Sequence, residues 1–208
     1  MIRIAAAVLL ALPAPPQAGT VQVDEKVGTV TFGAVTVPLD LQPEVKGFIE
    51  YVLVNRGGKD YESVFKAEID AGALYDGIKK IGVKPGAPPA DAKAPPTGGK
   101  LRISVEWKEG DKIRKDPVEA FILDTKTGKP MEPVAWVFTG SKEGFVPALE
   151  KTDLLVKANH CLFALIQHDP TVLVMSPVPD PGGRRYKGNK ELLPKAGTAV
   201  KFIVEAAK

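Results

Sequence analysis

The sequence predicts an α+β fold built on a mainly antiparallel sheet or sandwich, with one clear helix at about residues 70–82 and long Pro/Gly loops. Three observations carry that expectation. Short alternating runs of Val, Ile, Phe and Thr recur along the chain. Only one stretch combines a helical apolar period with caps at both ends, and no strand–helix–strand rhythm is visible. Gly 20 and Pro 19 are many for 208 residues, and aromatics make up only 7%, which suits turns and strands rather than a helical bundle.

The chain opens with MIRIAAAVLLALPAPPQAG, in which Arg3 precedes an apolar run at residues 4–12 and a Pro/Ala tail. This is the pattern of a secretory signal over residues 1–18, followed by a single domain over 19–208. No later stretch approaches the roughly 20 apolar residues of a membrane span. The expected location is therefore extracytoplasmic, periplasmic or secreted. The formal net charge is +3, and loss of Arg3 lowers it by one. A chain so nearly balanced lacks the concentrated basic face that nucleic acid requires. Cys161 is the only cysteine, so stability must come from burial and hydrogen bonding rather than from a disulfide.

Residues 28–40 (GTVTFGAVTVPLD) alternate as one or two strands before Pro38 and Pro43 interrupt them. Residues 48–65 (FIEYVLVNRGGKDYESVF) read as a hairpin, with Gly57 and Gly58 supplying the positive φ of a tight turn. Over residues 70–82, Asp70 is a cap, Leu74, Ile78 and Ile81 share one face, and Gly82 suits a left-handed C-terminal position. Residues 84–100 hold Pro, Ala and Gly with little to bury, hence an exposed Pro-rich loop inserted within the domain. Leu101, Ile103, Val105 and Trp107 then form the apolar face of a strand, and Gly110–Asp111 turns the chain. Further strands are expected at residues 118–123, 135–138, 154–157, 161–166 and 199–204, with a turn at 124–129 and a second Pro/Gly-rich, basic loop at 176–198.

The run IEYVLVNRGGKDYESVF, followed by an Asp-capped helix ending in Ile-Gly-Val-Lys-Pro-Gly, resembles the YdjY-like domain family of exported bacterial proteins. VEWKEG, the LDTKTGKP turn, WVFTGS at residues 136–141 and LIQHDP at 165–170 extend the likeness over roughly residues 27–204. The resemblance implies an extent and an exported location, and it brings no catalytic or binding residues. Relatives often carry His before the Glu-Ser pair, where this chain has Tyr61.

Glu62 is the first candidate for chemistry, with Tyr61 and Ser63 beside it. One hairpin register sets Glu62 among Ile49, Tyr51 and Leu53, as a buried carboxylate that must be paired or protonated and could act as an acid or base. The register slipped by one residue places Glu50 opposite Lys66 and leaves Glu62 in water; it unites the more apolar set and is the one expected. His160, Cys161 and Met175 offer the soft ligands of a copper or zinc site, with His168 and Met131 in reserve. Against this, an extended segment holds the two histidines on the order of 25 Å apart. Cys161 also leads an apolar run, where a small buried hydrophobe is the default reading. Arg184, Arg185, Lys187 and Lys190, together with Tyr186, form a candidate anion-binding patch, or simply a solvated basic loop.

No Gly-x-Ser-x-Gly, Walker loop, dinucleotide glycine pattern or His-Glu-x-x-His is present, and no cofactor is expected. The functional expectation is a non-catalytic binding module for an envelope partner or a small ligand, with its site on the loops. An acid–base enzyme using Glu62 is second, and metal handling is third.

Overall fold

The structure, a computed structural model, describes residues 19–91 and 94–207. The segment read as a signal lies outside the described residues. A short β1 (Gln22–Asp24) leads into β2 (Thr29–Thr36), where Val30, Phe32 and Ala34 alternate inward. Then come β3 (Tyr51–Asn55), β4 (Phe65–Ala67) and α1 (Ala71–Lys80). β5 (Gly99–Glu109) and β6 (Lys112–Pro117) form a hairpin, as do β7 (Ile122–Asp124) and β8 (Lys129–Pro130). β9 (Trp136–Phe138) precedes a third hairpin, β10 (Glu143–Val146) with β11 (Lys151–Leu154). The chain ends with α2 (Val156–Asn159), β12 (Cys161–Ala164), β13 (Val174–Met175), β14 (Tyr186–Gly188) and β15 (Ala199–Ala206).

Eight strands close into a barrel in the order β2, β15, β5, β9, β13, β12, β3, β4 and back to β2. This corrects the expected α+β sheet or sandwich: the architecture is β-rich and closed, and among the described residues only α1 and α2 are α-helical. Closure comes from β2, whose one edge runs along β15 while its other edge is shared. Asp24 of β1 faces Thr29 at one end of that edge, and Phe65 of β4 faces Thr36 at the other. β4 then pairs with β3 and completes the circle.

The inside is filled rather than hollow, as expected of a barrel with few strands. Phe32 and Phe202, cross-strand partners on β2 and β15, stack with ring centroids 5.3 Å apart. Phe65 meets Phe202 edge-on at 5.2 Å and Phe121 at 5.4 Å, and Phe121 in turn meets Trp107. Phe121 belongs to a 3-10 turn at Val118–Phe121 that plugs this end of the barrel. In that plug the buried Glu119 accepts from the Trp136 indole at 2.9 Å and from the Val134 N–H at 3.1 Å. Each fully buried ring contributes on the order of 2–3 kcal/mol through the water it excludes.

Several elements fall where the sequence placed them. The Asp70 carboxylate accepts from the N–H groups of Gly72 and Ala73, and Leu74 and Ile78 are buried beneath α1. Leu101, Ile103, Val105 and Trp107 line the barrel from β5. The expected hairpin at residues 48–65 is not one. Strands β3 and β4 lie parallel, with Leu53 opposite Phe65 and Asn55 opposite Ala67. Gly57 does have φ +90, but Gly58 serves close approach instead, since a Cβ there would lie 2.7 Å from the His160 carbonyl oxygen. A 3-10 turn at Asp60–Glu62 carries the chain back to the start of β3. The Asn55 side chain holds the parallel arrangement by donating to the Ile69 carbonyl and accepting its N–H. Two expected strands also change type: Val118–Phe121 is the 3-10 plug, and residues 156–159 are α2, which ends on His160 at φ 62.

Candidate functional site

The bend from Pro38 to Phe48, strand β14 and hairpin β7–β8 build two adjacent depressions on one face of the barrel. β14 pairs with β7, placing Lys187 opposite Leu123, and Phe48 bridges to Lys187 from the other side. Gly188 lets the Leu39 side chain lie against the strand, since a Cβ would come 2.4 Å from Leu39 Cδ1. Asn189 fixes the far end by donating to the Ala120 carbonyl at 2.8 Å, while its own carbonyl receives the N–H groups of Leu192 and Leu193.

The larger depression is a groove of about 580 Å³. Leu39, Leu123 and Leu192 give it apolar walls, and Lys46, Lys187 and Lys190 are on its lining. Asp40 and Glu191 are also on its lining. Lys46 follows a 3-10 turn at Pro43–Val45 and adopts φ 54, followed by Gly47 at φ 73, so the chain doubles back beneath the groove. The Lys187 ammonium sits 4.5 Å from the centre of the Phe48 ring, a cation–π contact.

The smaller depression, about 180 Å³, is lined by Phe48, Glu50, Glu62, Gly183 and Arg184, with Glu44 at its edge. The Glu50 N–H donates to the Glu62 carbonyl at 3.0 Å, which sets the two side chains next to each other. Both carboxylates are 19% exposed, and Lys59 reaches Glu50 at 3.4 Å and Glu62 at 3.6 Å. Burial, and then the neighbouring Glu50 carboxylate, push the Glu62 pKa above the ordinary glutamate range against the pull of Lys59. Burial alone would lower the Lys59 pKa, but the two carboxylates outweigh it and hold its proton more tightly. Gly183, at φ +59, lets the loop approach, because a Cβ would lie 2.7 Å from Glu50 Oε1.

On the outer face of β3 and β12, a second apolar cluster contains Tyr51, Val54, Cys161, Ala164, Ile166 and Met175. The Tyr51 hydroxyl donates to Asp169 Oδ2 at 2.8 Å, and Asn159 donates to the same oxygen and to Thr171. Burial, reinforced by Asp169, pushes the Tyr51 phenol well above its usual range, and burial raises the Cys161 thiol to about 11.

The sequence candidates therefore scatter. Glu62 lines the small cleft and pairs with Lys59, while Ser63 is buried and donates to the Phe65 carbonyl. Tyr61 is half-buried in the same turn. Arg184 lines the small cleft with its guanidinium over the Phe48 ring. Arg185 is committed to Asp124 through contacts of 2.7 and 3.1 Å, and Tyr186 is buried, with burial raising its pKa to about 12. Cys161 and Met175 share the outer cluster, whereas the His160 ring lies against Gly57 and His168 is exposed. Among the described residues, no three His, Cys, Asp or Glu side chains converge as metal ligands, and no helix is long and apolar enough to cross a membrane.

The YdjY domain model matches residues 21–205. The chain belongs to the YdjY domain family. No curated protein and no solved structure matches the chain. Within this YdjY domain, sequence reasoning missed Glu50 and Lys46 as site residues. The expected register sets Glu50 against Lys66, yet Lys66 binds Asp60 at 3.1 Å. Lys46 carries no signal beyond the Gly that follows it.

Proposed function

We propose that this YdjY domain is an exported binding module of the cell envelope whose ligand occupies the 580 Å³ groove. The groove carries the reading: its volume falls within the range of small-molecule sites, and its floor is a rigid sheet. Three leucine walls supply area and a few convergent polar groups supply orientation. Export rests on the N-terminal residues of the sequence. It is tested by isolating the mature protein from cells and sequencing its first residues; a cytoplasmic chain retaining Met1 defeats it. The ligand site is tested by a thermal-shift screen of small molecules against wild type and a Pro130→Trp variant, which fills the groove from its exposed rim. Compounds that raise the midpoint of wild type alone support the site. Compounds that act equally on both proteins refute it.

A second reading is favoured by the paired carboxylates. Glu62, with its raised pKa beside Glu50 and Lys59, has the properties of a general acid or base at the smaller cleft. Turnover of an ester, glycoside or peptide substrate that survives in Ser63→Ala and disappears in Glu62→Gln would establish that chemistry. Turnover retained in Glu62→Gln removes it.

A further inference from the structure

The chemistry of the groove points to the kind of molecule it takes. We infer that the ligand is an amphipathic anion: a compact apolar body carrying one carboxylate, sulfonate or phosphate-type head. This rests on the groove being the binding site and goes further by assigning charge and shape.

The apolar part follows from the walls. Leu39 and Leu123 are half-buried, and Leu192 is 48% exposed at the rim. A ligand with hydrocarbon or aromatic surface would cover Leu192 and gain roughly 25 cal/mol for each Å² removed from water. The charge follows from the lysines. Among the described residues, none of Lys46, Lys187 and Lys190 has a carboxylate within ion-pair distance, although the fold pairs many of its other cations. Lys187 is the most telling of the three, because its ammonium rests on the Phe48 ring and is half-buried. A cation held over an aromatic ring keeps its full charge available to an incoming anion. Asp40 and Glu191 offset part of this field: the lining carries three lysines and two acidic residues, an excess of one positive charge. That balance suits a single anionic head rather than a polyanion.

The test uses two fluorescent probes of nearly the same shape, 8-anilinonaphthalene-1-sulfonate and its uncharged counterpart N-phenyl-1-naphthylamine. They are titrated into wild type, Pro130→Trp, and the triple variant Lys46→Gln/Lys187→Gln/Lys190→Gln, with circular dichroism confirming that each is folded. The sulfonate is expected to bind wild type at least tenfold tighter than the neutral probe. It should lose about tenfold in the triple variant and weaken as salt is raised. The neutral probe should be indifferent to both changes. If both probes bind equally, are lost in Pro130→Trp and ignore the lysine substitutions, the groove is a site but its ligand is not anionic. If neither probe responds to Pro130→Trp, the groove is not their site, and the reading beneath this inference falls with it.

Discussion

Replacing Tyr51 by Phe removes one oxygen from the outer face of the barrel and tests whether the Tyr51–Asp169 contact anchors the segment that covers β3 and β12. The hydroxyl donates to a carboxylate at 2.8 Å from a side chain that is 2% exposed. Hydrogen bonds to charged acceptors contribute about 1.5–3 kcal/mol net. Asp169 is not orphaned by the change, because Asn159 still donates at 2.8 Å and Thr171 supplies its N–H at 2.9 Å and its hydroxyl at 2.6 Å. The expected loss is therefore about 2 kcal/mol rather than the cost of a buried unpaired charge. With a urea dependence of about 2.5 kcal/mol per M for a domain of this size, the unfolding midpoint at pH 7 should fall by about 0.8 M. The same experiment has a pH arm. The folded phenol has a pKa above its unfolded value of about 10, so its stabilisation is complete below that pH and declines as pH rises further. The phenyl ring of the Tyr51→Phe variant cannot ionise, so the gap between wild type and variant should narrow above about pH 10. A midpoint shift below about 0.2 M, or a gap that widens in alkali, would refute the assignment of Tyr51 as a neutral anchor of Asp169.

Phe202→Ala should cost about 3–5 kcal/mol, measured by denaturant unfolding, since this ring touches Phe32, Phe65 and Phe163 inside the barrel; a cost under about 1 kcal/mol would mean the interior is not packed as described. Asp70→Ala should lower stability by about 1 kcal/mol through loss of the α1 cap, and Asp70→Ser should restore most of it. Cys161 should resist a thiol reagent at pH 8 in the native protein and react fully in urea, because it is buried with a pKa of about 11; rapid native labelling would contradict that burial. For Glu62 the folded pKa is raised, so its stabilisation is present below the unfolded value of about 4.3 and is lost as pH rises. Glu62→Gln should therefore gain on wild type between pH 4 and 7 in a series of unfolding measurements, and a constant difference across that range would argue against the raised pKa of Glu62.

Local signals are readable wherever the structure obeys a local period. The alternation of β5 and the capped face of α1 appear in the fold as the sequence arranges them, because each is decided by residues two to four apart. Barrel closure is decided elsewhere. It depends on β4 and β13, strands of three and two residues, and on two parallel pairings, none of which leaves a periodic trace. Gly57–Gly58 carries a genuine hairpin signal that loses to tertiary context: the second glycine is spent on the His160 carbonyl rather than on turn geometry. Glu62 is recognisable as a candidate, but its partner Glu50 is not. What unites them is a backbone hydrogen bond across the start of β3, which no spacing rule anticipates. The cationic groove likewise joins Lys46 to Lys187, far apart in the chain and brought together by the Phe48 bridge.

A ring of strands is only as durable as its shorter links, and one of these is β4, whose three residues hold β2 on one side and β3 on the other. Its amides should trade hydrogen for deuterium ahead of those in the long β5 and β15. The turn bearing Lys59 and Glu62 runs into that link with only Ser63 and Val64 between. A molecule that orders the carboxylate cleft should therefore also slow exchange in β4.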